Sequence, residues 1–113
     1  MQDRPHVRRA PRVRLDCYAN KIIGDEPHMV RVRDISTQGV YLYRLIEPKT
    51  AVEQRVGIEL MLPGSERIIW AVGRVVRQEE EPLLQGSGVH FERLDDVDRR
   101  AIENFVCEAQ KAA

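Results

Sequence analysis

The 113-residue chain is poor in several things, and each shortage removes a class of function. It has two cysteines, Cys17 and Cys107, with no CxxC and no Cys/His cluster at metal-ligand spacing. A zinc site or a disulfide scaffold has nothing to build on, and both thiols are expected reduced and in the core of a cytoplasmic domain. No apolar run approaches the ~18 residues of a membrane-spanning helix. The N-terminus has no apolar stretch of the secretory kind, so no membrane insertion is expected. Aromatic residues are only 5% of the chain, and 18 basic residues balance 18 acidic ones. A net charge of zero argues against coating nucleic acid or membrane by bulk electrostatics. There is no Ser/His/Asp arrangement and no glycine-rich loop opening a helix, so neither an enzyme nor a bound cofactor is expected. His6, His28 and His90 show no partner pattern and are given structural or solvated roles.

What is present is one domain's worth of chain, 42% hydrophobic, with one local break in the charge balance. Between Arg4 and Arg14 stand five arginines (Arg4, Arg8, Arg9, Arg12 and Arg14) and no acid. A basic segment on a neutral domain suggests a specific anion rather than a polyanion. Residues 1–12, with two prolines and little apolar material, read as an extended arm. The domain proper is placed at 13–113.

From Val13 the pattern alternates at period 2. Val13, Leu15 and Cys17 form one face of a first strand. Gly24 to Pro27 is a turn, and Met29 to Ile35 a second strand. A third follows Gly39, with Val40 and Leu42 on one face and Tyr41 and Tyr43 on the other. Val56 to Leu62 is a fourth, turned by Pro63 to Glu66 into a fifth over Ile68 to Arg77. Glu79 to Pro82 connects to a sixth that ends in GSGVHF. Six short strands with regular turns predict an all-β antiparallel barrel, closed or nearly so. At the end, Val97, Ala101, Ile102, Phe105, Val106 and Ala109 recur at helical spacing. One amphipathic helix over about 95–110 is therefore predicted, with Asp95 and Asp98 in a box-like cap.

Two constellations could carry chemistry. One is Arg8-xxx-Arg12, with Arg9 beside the first arginine. The other is Asp34-x-Ser36-xx-Gly39 in the stretch DISTQG. Read alone, DISTQG is a turn in which Asp and Ser satisfy backbone groups and Gly takes a positive φ. In this order the two constellations resemble the paired signature motifs of the PilZ domain family. The strand Trp70-Ala71-Val72-Gly73-Arg74-Val75-Val76, the strand Gly88-Val89-His90-Phe91 and the ending LDDVDRRAIENFV are also similar to that family. The resemblance runs from Arg8 to Val106. It implies a PilZ-like six-stranded barrel with a C-terminal helix that binds cyclic di-GMP between the arm and the barrel wall.

The residue chemistry agrees with that implication. Guanine shows N7 and O6 on one edge, which an arginine fork meets bidentately, and its N1–H and N2–H₂ suit a carboxylate. Arg8, Arg9 and Arg12 are therefore expected to hold base and phosphate. Asp34 would accept from a guanine, and Ser36 would donate to an oxygen. Gly39 would permit a special backbone conformation or a close approach. Trp70 and Arg74 are candidate further contacts, Trp70 as a stacking platform and Arg74 as a third arginine. In the family an arginine commonly fills the place of His90. An arginine before the first motif arginine accompanies a stacked ligand dimer, and here that residue is Val7, which favours one ligand per protomer.

The implied mechanism is an adaptor. The arm is disordered without ligand, folds over the barrel with it, and presents a new surface to an unidentified downstream protein. Two alternatives stand beside it. One is a PilZ-like interaction barrel without nucleotide binding. The other is a small barrel binding single-stranded nucleic acid, which the neutral charge and few aromatics disfavour.

Overall fold

The structure, a computed structural model, describes residues 10–45 and 47–112. Arg8 and Arg9, like most of the arm, lie outside the described residues. Among those described, six strands and a helix follow in order. They are β1 (Val13–Ile23), β2 (Glu26–Ile35), β3 (Gly39–Tyr43), β4 (Arg55–Met61), β5 (Ile68–Glu81), β6 (Leu84–Leu94) and α1 (Asp96–Lys111). All pairings are antiparallel, and the strands close into a barrel in the order β1-β2-β3-β6-β5-β4. The expected barrel with one terminal helix is the observed fold.

Period-2 alternation fills the barrel. Val30 and Val32 of β2, Val56, Ile58 and Leu60 of β4, and Ile69, Ala71 and Val75 of β5 all point inward and are buried. The stripe of α1 packs Ile102 and Val106 into this core, with Ala101 and Phe105 partly buried against it. Burial of side chains this size stabilises by roughly 1.5–3 kcal/mol each against exposure, which is what fixes the helix to the barrel. Of the two thiols expected in the core, Cys17 is only half-buried and Cys107 is exposed. Cys107 sits one position past Val106, which turns it off the buried stripe.

The hairpins are tighter than the turn residues suggest. Ile23 pairs with Glu26, so the β1–β2 turn is only Gly24 and Asp25, with Gly24 at φ +63°. β2 therefore starts three residues before Met29. Pro27 is tolerated there because β3 pairs with β2 only from Arg31 onward, leaving the side of Pro27 without a hydrogen-bonding neighbour. At the other hairpin, Glu81 pairs with Leu84, so Glu79 to Glu81 are strand rather than connector. The helix start also differs from its expected cap. Asp95 makes no side-chain capping bond. Asp98 is buried and instead accepts from Arg67 Nε at 2.7 Å and from the Trp70 backbone N–H at 3.4 Å. The carboxylate ties the first turn of α1 to the start of β5.

The barrel interior is not wholly apolar. Lys21 of β1 shares the face of Ala19, and its side chain is 1% exposed. Its Nζ lies 3.5 Å from Glu47, which is equally buried, and donates to Thr50 Oγ1 at 3.1 Å. Thr50 in turn meets Gln78 Oε1 at 3.2 Å, which also accepts from Ser87 Oγ at 2.7 Å. The β3–β4 connection thus plugs the barrel interior with a polar network.

Candidate functional site

The DISTQG stretch joins β2 to β3, and a bulge prepares it. Val32 pairs with Leu42, but Asp34 pairs with Tyr41, so Arg33 is the extra residue. A bulge of this kind re-aims the side chains that follow it. Here it lets Asp34 and Ile35 both be buried, breaking the alternation of the strand. The turn itself is closed by Ser36 N–H to Gly39 O at 2.9 Å and by Gln38 N–H to Ser36 Oγ at 3.0 Å. Its tip is anchored from two sides. Phe91 N–H donates to Gln38 O at 2.8 Å, and Arg99 of α1 donates to Thr37 O at 2.8 Å.

Gly39 is not a positive-φ glycine; among the described residues only Gly24 and Gly64 are. Its lack of a side chain serves a close approach instead. A Cβ at this position would stand 2.3 Å from the carbonyl oxygen of Val89 and 3.4 Å from His90 Cα, both backbone atoms of β6. Gly39 pairs with His90 across that contact. The glycine of the motif therefore brings β3 against β6 and closes the floor of the site, which corrects the positive φ expected from the turn pattern.

The last arm residue reaches this floor. Arg12 Nε donates to Asp34 Oδ1 at 3.0 Å, and Arg12 Nη1 lies 3.4 Å from Ser36 Oγ. The other Asp34 oxygen accepts from Arg33 Nε at 2.9 Å. Asp34 and Ser36 thus face one guanidinium together, as side chains two apart on an extended edge can. Arg33 also stacks on the Tyr41 ring, its Cζ 3.9 Å from the centroid, and Arg77 approaches the same ring at 5.3 Å. Tyr41 is fully buried, although the strand pattern set it opposite the core. The two arginines cover its outer face, and at Gly86 the absence of a Cβ leaves room for its ring. Its hydroxyl donates to Glu79. Burial, then the Glu79 carboxylate, pushes the phenol up to about 12.

Most of these groups, though not the buried Ser36, border a cleft of about 370 Å³ running over β2, β3, β6 and the second half of β5. Its lining includes Arg12, Arg33, Asp34, Gly39, Tyr41, Arg77 and His90. Three guanidiniums face one carboxylate there, so the cleft favours an anion. Its volume lies toward the small end of ligand pockets, roughly 300–1,000 Å³. Arg33, Tyr41, Arg77 and His90 were not among the residues expected to line a site. Arg33 and Arg77 look like ordinary outward strand residues, and only the β5–β6 pairing of Arg77 with Gly88 brings the latter to the cleft.

Trp70 and Arg74 are not among the lining residues. Trp70 belongs to the first half of β5, beside β4, and its ring lies over Gly57. Arg74 is held by Glu53 at 3.0 Å and Glu92 at 3.1 Å in a surface ion cluster with Arg55. Among the described residues no group of His, Cys, Asp and Glu could hold a metal ion. Among the same residues no helix is long and apolar enough to cross a membrane.

Comparison with known proteins accords with this arrangement. The Bacillus subtilis inhibitor of motility (MotI/DgrA) superposes with a TM-score of 0.84 at 16% identity, over 97% of this chain and 54% of that one. MrkH of K. pneumonia, solved as a c-di-GMP complex, gives a TM-score of 0.63 at 22% identity, over 94% and 55%. An uncharacterized Legionella protein gives 0.56 at 12% identity, over 89% and 95%. At these identities the likeness establishes the fold, and the chain spans about half the length of the first two. No curated protein matches. The family model of the PilZ domain matches residues 6–108, a span that takes in both arginine and DxSxxG motifs. With the barrel, its terminal helix and both motifs in place, the chain belongs to the PilZ domain family.

Proposed function

We propose that the cleft is a cyclic di-GMP site and that the chain acts as a receptor and adaptor for this second messenger. The observation that carries the reading is the convergence of Arg12 on Asp34 and Ser36, residues 22 and 24 positions away in sequence. Three groups able to engage a guanine or a phosphate meet at one point, beside an arginine-lined cleft that favours an anion. The MrkH structure, a relative in fold solved with this ligand, supports the same reading.

The roles follow from donor and acceptor chemistry. Arg12 offers its planar fork to a guanine edge or a phosphate. Asp34 accepts from the guanine Watson–Crick edge, and Ser36 donates to a ligand oxygen. Arg33, stacked on Tyr41, and Arg77, near the same ring, are suited to the second base or phosphate. Arg8 and Arg9 are assigned to the same ligand through the arm. Ligand binding then folds the arm over the cleft and presents a surface to a downstream protein. The role is that of a binding module rather than a catalyst.

Calorimetric titration of cyclic di-GMP into the chain tests this. Micromolar or tighter binding is expected, lost in Arg12→Ala and in Asp34→Ala. A flat titration would turn the reading into that of an interaction barrel without nucleotide. Binding of oligonucleotides in place of the dinucleotide, with steep salt dependence, would favour a single-strand binder.

A further inference from the structure

The barrel wall away from the cleft carries an apolar surface that the nucleotide reading does not use. In the closed order of strands, β1 and β4 lie across the barrel from β3 and β6. Their outward side chains, with those of the adjoining parts of β2 and β5, form two rows. Ala19 pairs with Leu60, which sets Tyr18 beside Met61, and Met61 pairs with Ile68. The next row runs Met29, Asn20, Glu59 and Trp70 by direct pairing. The five large apolar side chains of these rows are about half exposed, from 47% at Trp70 to 59% at Ile68. A groove of about 420 Å³ crosses four of them, Tyr18, Met29, Met61 and Ile68.

At ~100 Å² apiece, these side chains expose about 500 Å² of contiguous apolar surface. That is near the top of the range, roughly 300–600 Å², found for the largest patch on a monomer. With a polar rim it reaches the ~800 Å² that each partner contributes to a standard interface.

We propose that this wall is the interface of a two-fold homodimer, with the β1–β4 seam on the axis. Two features select a second copy as the occupant. The first is self-complementarity. A two-fold along the seam exchanges the β1 and β4 columns and the β2 and β5 columns. Tyr18 then meets the partner's Met61, Met29 meets the partner's Trp70, and Asn20 meets the partner's Glu59. Two thioether–aromatic contacts result, each made twice, around an Asn20–Glu59 pair already hydrogen-bonded within each chain at 3.2 Å. The second is charge. The chain has a net charge of zero, so two copies approach without repulsion. Arg31 pairs with Tyr18 in the first row and so lies opposite the partner's Ile68, its charge already held by Asp16 at 2.8 Å. In such a dimer the two clefts face outward on opposite sides, both open to ligand. The inference is independent of the nucleotide reading.

Sedimentation equilibrium of the chain from about 1 to about 500 µM is the test. A rise from the 13.1 kDa monomer mass to twice that value is expected. Met61→Lys and Tyr18→Lys, each checked by its melting curve, are expected to weaken the dimer at least ten-fold. Leu83→Lys, at the exposed tip of the β5–β6 hairpin, is expected to leave it unchanged. A monomer at every concentration overturns the proposal. So does a dimer that survives both Met61→Lys and Tyr18→Lys, or one that Leu83→Lys dissociates equally.

Discussion

Glu47→Gln isolates the energetics of the polar plug inside the barrel. The change keeps the size of the side chain and removes its charge. Lys21 is then left with Thr50 as its buried partner and no counter-charge. Two charges 3.5 Å apart attract by about 5 kcal/mol at an effective dielectric constant near 20. There is also a ceiling, because Lys21 can escape by losing its proton. From a reference pKa near 10.4, neutralising it at pH 7 costs about 4.6 kcal/mol. Both routes agree with the roughly 3–5 kcal/mol found when one partner of a buried pair is removed. Urea unfolding at pH 7 is the assay, and a loss of about 3–5 kcal/mol is expected. At a slope of ~2 kcal/mol/M this is a midpoint shift of about 2 M. The deficit should also shrink as pH rises. Desolvation already lowers the Lys21 pKa, despite Glu47. The unfolded chain therefore binds the extra proton, and stability rises with pH up to the ordinary lysine value. The double change Lys21→Met with Glu47→Leu should recover most of the loss, since no charge remains to desolvate. A Glu47→Gln deficit below about 1 kcal/mol, independent of pH, would refute the buried-pair reasoning.

Three further outcomes are expected. Arg12→Lys keeps the charge but not the fork, so cyclic di-GMP affinity should fall roughly 10- to 100-fold, while the melting temperature moves little because the arginine is half exposed; calorimetry and a thermal melt read the two effects separately. Gly39→Ala should cost stability as well as binding, at the upper end of the roughly 1–3 kcal/mol typical of overpacking, because the atoms it meets are the backbone of β6; an unfolding curve that matches the parent would contradict the close-approach role. Absorbance titration should show one tyrosine ionising near 12, and Glu79→Gln should lower it only part of the way, since burial, the larger cause, remains. The folded state holds that proton longer than the unfolded one, so Tyr41 adds stability below pH ~10 that is lost as pH rises through 12.

The barrel was legible because its inward residues alternate and its turns carry Gly, Asp and Pro at regular spacing. Where the reading went astray, a contact from elsewhere in the chain had overruled a local pattern. Asp98 sits where a helix cap would want it, but Arg67 and the Trp70 amide, about 30 residues away, offered a buried carboxylate more. Tyr41 alternates outward and is nevertheless buried, because a bulge one strand away places Arg33 over its ring. Lys21 breaks the inward apolar pattern of β1, and its partner Glu47 lies in a connection with no periodicity to read. The site divided in the same way. Asp34, Ser36 and Arg12 were accessible as a motif, since their spacing is local within each half. Arg33, Arg77 and His90 were not, because strand pairing rather than spacing gathers them.

The same pairing explains how one carboxylate can be both buried and available. Asp34 has each oxygen engaged, one by Arg12 and one by Arg33. The two partners are not equivalent. Arg12 comes from the arm and is 45% exposed, whereas Arg33 is fixed by the bulge, stacked on Tyr41 and 23% exposed. Arg12 is the half-exposed partner, so a guanine edge can take its place on Asp34 more cheaply than it could take that of Arg33. Stripping both partners would leave a buried, unpaired carboxylate, at a cost of several kcal/mol. In the proposed complex, therefore, Arg12 is the partner that leaves Asp34 for the ligand, and Arg33 is the one that stays. That division lets the arm trade its contact with the barrel for contact with a nucleotide while the charge at the floor of the cleft remains compensated throughout.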